Sequence, residues 1–589
     1  MGKVRFVYEQ TAWNLGDILN GDDMEDNSKN LRRRAAEFAG IRDTLDSDTT
    51  PERFADYMSR LEEITKEISR IGGHASLSYA EDTQSEKAAA TVARTNQLES
   101  EVANHTVFFD LWWKRGIGDA DAERLAGSSG DLKTHLMHKR RLARHSLSEA
   151  EEKVINLLDV TGTSALVKIY DTITNAYTYT ITVDGVKKTM GREELTAYVR
   201  SPIPQYREDA YRAILDRYTA GRNVLGEIYR NVVMSGRNEY ITMRKYASPI
   251  SVMNTGSNID DSTIESLLDV CRERVGVFQE YFAQKAAALG LGSLRRYDLY
   301  APLHGADRKY GYGEAAKMVL DTITTFSGTL GRYARRVFEE NHIHSTIQKG
   351  KISGAFCSTI SPDITPYVLL NYTGETRDVF TMAHELGHAV HSMAADSKSI
   401  LVQHAPLPLA ETASTFSEML LFDAMSGRMD PAEEAKVLAG KLDDLYATIP
   451  RQAFFTIFET RAHSMLADGA TPSEVSGAYA KTLAEQFADS VDVSDDFASE
   501  WLAIPHFYHS PFYCYSYSFG NLLAAALFQR HKREGSGFAA VYEGILAAGG
   551  SQKPEELLAG YGFDIGSANF WREGFDYVRS LNSRLAALA

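Results

Sequence analysis

The sequence predicts a mainly α-helical protein, and three observations carry that expectation. From Pro51 to Ile71, Phe54, Tyr57, Leu61 and Ile64 fall at spacings of three and four, behind Asp48-Thr49-Thr50, which can cap a helix. The same periodicity recurs at about 86–114, 147–158, 205–235, 261–289, 313–340, 431–448, 471–489 and 519–533. No fixed-period repeat runs through the chain, so a solenoid is unsupported.

Two segments break the helical pattern. Ala165 to Met190 carries Tyr170, Tyr177, Tyr179, Ile181 and Val183 around an Asp184-Gly185 turn, and reads as a β-hairpin. Gly354 to Tyr372, with Pro362, Pro366 and the run from Tyr367 to Tyr372, reads as loop and short strand. That strand is either an exposed edge able to pair with an extended peptide or a strand buried under the following helix. Ser201-Pro202-Ile203-Pro204 interrupts the pattern near 190–205. The expected division is an N-terminal helical lobe over 1–200, with the hairpin near 165–190, and a catalytic region over 201–589.

The 589 residues are 44% hydrophobic and 24% charged, enough for a large core and a deep cleft without disulfide staples. The formal charge of −16 argues against nucleic acid as main partner, because phosphate binding needs a basic footprint. Cys271, Cys357 and Cys514 are far apart and form no CxxC pair. Neither a disulfide framework nor a thiolate metal site is expected, and a reducing compartment is. The first residues lack an apolar signal region. No stretch approaches the roughly 18 apolar residues of a membrane span. The expected location is the cytoplasm, with no membrane partner.

The sharpest feature is His384-Glu385-Leu386-Gly387-His388. Histidines at i and i+4 lie one turn apart on one helix face, so both rings can reach one ion. The intervening Glu385 would stand beside the metal, where it can take a proton from the attacking water and pass it to the leaving amine. A chain of this composition meets the pattern by chance in roughly six of a hundred cases, so a bare match is insufficient. A catalytic zinc site wants three protein ligands and one open position. The metzincin extension is ruled out, because positions 391 and 394 hold His391 and Ala394. A glutamate on a following helix is the other solution, and Glu411 and Glu418 both offer one. Either could bind zinc while the other orients a ligating histidine. Glu411 lies in the first turn of a helix opened by Pro406 and Pro408, 23 residues after His388. A carboxylate there could instead pair with the helix N-terminal dipole. Glu418, seven residues on, shares the Glu411 face; it could equally be a solvated carboxylate. His391 lies about 10.5 Å along the axis from His384 and reads as supporting or structural rather than as a ligand.

HELGH followed by Leu409-Ala410-Glu411-Thr412-Ala413-Ser414-Thr415-Phe416-Ser417-Glu418 resembles the thimet oligopeptidase family of metallopeptidases, in particular its oligoendopeptidase F branch. Gly350 to Cys357, Pro366 to Tyr372 and Ile504 to Tyr517 are similar to that branch as well, so the motif resemblance spans about 350–520. The resemblance implies one zinc ion on His384, His388 and Glu411, with Glu385 as general base. It also implies that a histidine and tyrosines of the late segment hold the scissile carbonyl. The candidates are His506, Tyr508, Tyr513, Tyr515 and Tyr517. Tyr513 and Tyr517 share a helical face and are preferred, with His506; a neutral phenol can donate to an oxyanion at pH 7. At least two of the five tyrosine and histidine positions would be packing residues.

By the same resemblance the fold is two helical lobes flanking a deep central channel, with a small β element near the metal. Its substrates would be short unstructured peptides cut at internal bonds. Two rivals fit the motif less completely: a helical zinc carboxypeptidase, which needs a site for the free C-terminal carboxylate, and a non-catalytic peptide-binding protein, against which the intact ligand set and Glu385 argue.

Overall fold

Helices dominate because the chain repeatedly supplies both an apolar stripe and a start signal. In the computed structural model, which describes residues 8–19, 23–303 and 308–588, Pro51–Glu81 opens with proline in its first turn. The Thr50 side chain accepts the Arg53 amide there. Phe54, Tyr57 and Ile64 are buried on its inner face. Thr471 caps Pro472–Phe487 in the same way, with Glu474 reaching back to complete a capping box. Several expected long helices are divided: 205–235 breaks at Gly221, 261–289 at Val275 and 313–340 at Ser327.

The chain forms two compact units, each assembled from three segments. The first comprises Met1–Ala143, Asp307–Ser426 and Arg530–Phe563; the second comprises Arg144–Ala306, Gly427–Gln529 and Asp564–Ala589. The boundary expected near residue 200 falls inside the second unit.

In the first unit, helices Met24–Ala39, Pro51–Glu81 and Glu86–Leu111 enclose a core of Leu31, Phe38, Phe54, Phe109 and Trp113. Tyr367 and Leu369 belong to the same core and tie it to a three-stranded sheet. In that sheet Tyr367–Leu369 is central, parallel to Ile343–His344 and antiparallel to Phe356–Ser358. The Lys351 ammonium donates to the carbonyls of His344, Thr346 and Leu370, fixing the loop that leads into Phe356–Ser358. The Asn371 amide closes the other side on the carbonyls of Ile352 and Gly354.

Of the two readings of this strand, exposed edge or buried, Tyr367–Leu369 takes the buried one. Its residues are fully buried between two partners, as an uninterrupted apolar run suits a strand covered on both faces. The half-buried edge strand is Phe356–Ser358.

The second unit holds buried ion pairs among its helices. Lys285 Nζ sits 2.6 Å from Asp443 Oδ1 and also donates to the Leu299 carbonyl. Arg207 pairs with Asp298, and Arg296 with Glu500. The expected hairpin is present but shorter: Tyr179–Val183 pairs with Val186–Met190 across Asp184 and Gly185, both at positive φ. The preceding residues, read as strand, form helix Thr163–Asn175. There Tyr170 stacks on Tyr508 at 3.8 Å and donates to the Leu502 carbonyl, and this packing overrides the strand preference of its β-branched and aromatic residues.

Candidate metal centre

Helix Thr376–Ala394 carries the HELGH segment, and its inner face (Val379, Met382, Ala383, Leu386, Val390) is buried. Glu375 and Asp378 form a capping box at its start. Helix Thr412–Met425 packs against it and is buried along almost its whole length. The approach of the two depends on Gly387. A Cβ there would lie 2.5 Å from the Ser414 Cα and 2.6 Å from the Ala413 carbonyl oxygen, so only glycine admits this spacing.

That approach brings Glu411 to the histidines. It is the residue between the turn Leu407–Ala410 and helix Thr412–Met425, and its own carbonyl accepts the Thr415 amide. Its Oε2 lies 3.4 Å from His384 Nε2 and 3.6 Å from His388 Nε2, and the Ser414 hydroxyl donates to the same oxygen at 3.0 Å. Among the described residues, His384, His388 and Glu411 form the one group of such side chains able to share an ion, their donor atoms within 4.8 Å of one another. Two ligands held at zinc bonding distance in tetrahedral array stand about 3.3–3.6 Å apart, so the spacing fits the ion. On the far side of the ring, His384 Nδ1 donates to Glu418 Oε1 at 2.7 Å, which leaves Nε2 facing Glu411.

The electrostatics follow from three carboxylates crowding two imidazoles. Burial disfavours a charged His384, but Glu411 and Glu418 outweigh it and lift its pKa to about 10. Burial would raise Glu411, yet its hydrogen bond to His384 and the nearby His388 take it down to about 2. Burial, with His384 beside it, lowers His388 to about 4. Burial, reinforced by Glu411 and Glu418, pushes Glu385 up to about 7 against the pull of His384, and the Cys357 amide supports its carboxylate. A site that holds a proton on one histidine through this excess of negative charge is one that favours a metal cation.

These side chains open on a cavity of about 380 Å³, lined among others by Phe356, Cys357, Glu385, His404 and Glu411. His391 also lines it, buried beside His404, and is not part of the three-residue donor group. The edge strand Phe356–Ser358 thus forms one wall next to Glu385.

In the second unit, His506, Tyr513 and Tyr517 gather into a cluster of their own. His506 Nε2 is 3.3 Å from the Tyr517 hydroxyl, and the Tyr513 ring centroid lies 6.0 Å from His506 and 5.2 Å from Tyr517. Tyr508 and Tyr515 are fully buried and pack. Sequence reasoning passed over Gly387, Ser414 and the Cys357 amide. Only the small-residue pair Ala413-Ser414 opposite a motif glycine hinted at the close helix approach.

The donor set on this helical scaffold is that of the metallopeptidases as a class. The chain belongs to peptidase family M3, which matches residues 197–577. It is a peptidase, oligoendopeptidase F-like in sequence. PepF of Bacillus subtilis, an oligopeptidase, is 27% identical over 72% of this chain, a region that spans 64% of PepF. An oligoendopeptidase F homologue of Lactococcus lactis is 24% identical over 99% of this chain and 98% of its own. A crystal structure from Chlamydophila abortus covers 98% of each chain with a TM-score of 0.88 at 23% identity, and shares the fold. No described helix is long and apolar enough to cross a membrane.

Proposed function

We propose that the chain is a zinc-dependent endopeptidase acting on short, unstructured peptides. The observation that carries this is the meeting of His384 Nε2, His388 Nε2 and Glu411 Oε2 within one ion's reach. Zinc held by these three would polarise the scissile carbonyl and make water a better nucleophile. Glu385, buried beside the ligands, is the general base: it accepts a proton from the attacking water and returns it to the leaving amine. Its pKa near 7 suits both halves of that transfer. Glu418 orients the His384 ring, and Ser414 steadies the Glu411 carboxylate. His506, with Tyr513 and Tyr517, is assigned the developing oxyanion, to which neutral imidazole N–H and phenol groups can donate. The edge strand Phe356–Ser358 offers main-chain partners for an extended peptide. The restriction to short peptides rests on the names of the relatives, oligopeptidase and oligoendopeptidase F.

The test is cleavage of an internally quenched peptide, free or amidated at its C-terminus. The reading expects both forms to be cut, activity to vanish with chelator and return with zinc, and Glu385→Gln to lose about 10²–10⁴-fold in kcat. Loss of cleavage on amidation would indicate a carboxypeptidase, and an active Glu385→Gln enzyme would remove the proposed base.

A further inference from the structure

Below the loop that carries Tyr513 lies a buried carboxyl that the reaction as proposed does not use. Glu459, on helix Pro450–Ala467, is fully buried. Its Oε2 accepts the Phe512 amide at 2.9 Å, across 53 residues of sequence. Phe512 holds φ at +62°, the left-handed region that a bulky residue avoids unless its surroundings impose it. His463, one turn further along the same helix, sets its ring edge-on to Phe512 at 4.8 Å, and Tyr229 flanks His463 in turn. Burial pushes Glu459 well above the usual carboxyl range and His463 down to about 3.

Local turns shape this loop as well, and His509 pairs with Asp171 at 2.8 Å on its outer side. The Ser510 amide donates to the His506 carbonyl, Tyr513 to Ser510, and Tyr517 to Cys514. Such turns fix neighbours, but none of them holds the backbone of Phe512 itself at its left-handed φ. The Glu459 carboxyl holds the Phe512 amide directly. Its burial is costly, and the Phe512 amide is what offsets it.

We propose that Glu459 is a positioning residue: by holding the Phe512 amide it fixes the left-handed turn, and with it the placement of Tyr513 and Tyr517 against His506. This rests on the assignment of those three to the oxyanion. The test compares Glu459→Leu, which removes the acceptor at similar volume, with Glu459→Gln, which keeps a carbonyl oxygen. Amide hydrogen exchange over residues 506–517 is read beside kcat, KM and zinc content. Glu459→Leu is expected to speed exchange at Phe512 and Tyr513 and to lower kcat, each about tenfold or more, with KM and zinc content little changed. Glu459→Gln is expected to keep the exchange and most of the rate. Unchanged exchange in Glu459→Leu overturns the proposal. Faster exchange with unchanged kcat supports the positioning but removes the role given to Tyr513 and Tyr517, so the two readings fail separately. Should Glu459→Leu not fold, the unmodified chain still decides: a Phe512 amide as protected as helix-interior amides supports the proposal, and one exchanging at the rate of open chain overturns it.

Discussion

His384 is pulled at both ring nitrogens, by Glu411 at Nε2 and Glu418 at Nδ1. Its pKa of about 10 means that the metal-free chain carries a proton there at neutral pH. A metal must displace that proton, so affinity rises as pH rises and falls as pH falls. Zinc uptake at pH 7, followed by calorimetry in buffers of different ionisation enthalpy, should release at least one proton; uptake without proton release would contradict this picture. Glu418→Ala removes the ring's second anchor and should weaken zinc binding about 10–100-fold while leaving the three ligands in place. Competition against a chelator of known affinity measures it. The residue types of this site were legible because histidines at i and i+4 need only a helix to share a face. Glu459 was not legible: a lone carboxyl after Phe454-Phe455-Thr456-Ile457-Phe458 shows its role only when a distant amide reaches it.

At the scale of elements, the site depends on two helices in contact through Gly387. Replacing it with alanine forces a Cβ into the Ala413–Ser414 backbone, which cannot yield as a flexible side chain would. Separating the helices by even 1 Å moves Glu411 from the histidines, so Gly387→Ala should lower kcat/KM about 10²-fold and weaken zinc binding. Full activity with full zinc content would show that the spacing matters little. The helices themselves were readable from apolar periodicity, and the Asp184-Gly185 turn from its residue types. What escaped was set by distant partners. Thr163–Asn175 looked like strand until Tyr170 met Tyr508, and the position of Tyr367–Leu369 in its sheet depended on Ile343–His344, more than twenty residues upstream. The breaks at Gly221, Val275 and Ser327 lie inside periodic stretches, where the apolar pattern continues across the bend.

For the molecule as a whole, segments far apart in sequence share each unit, so no single cut in the sequence could have revealed the division. Stability in the second unit depends on buried charges that sequence alone leaves unpaired. Asp443→Ala would strand the fully buried Lys285 ammonium and should cost about 3–5 kcal/mol, read as a lower denaturation midpoint. An unchanged midpoint would mean that the lysine finds water or another partner. The test of the proposed activity lies at the metal. Zinc content per chain after exhaustive dialysis, compared between the unmodified protein and Glu411→Gln, probes the central claim most directly. The account predicts one zinc ion in the former and little or none in the latter. Equal zinc in both would show that the ion is held without the carboxylate of the second helix, and would contradict it.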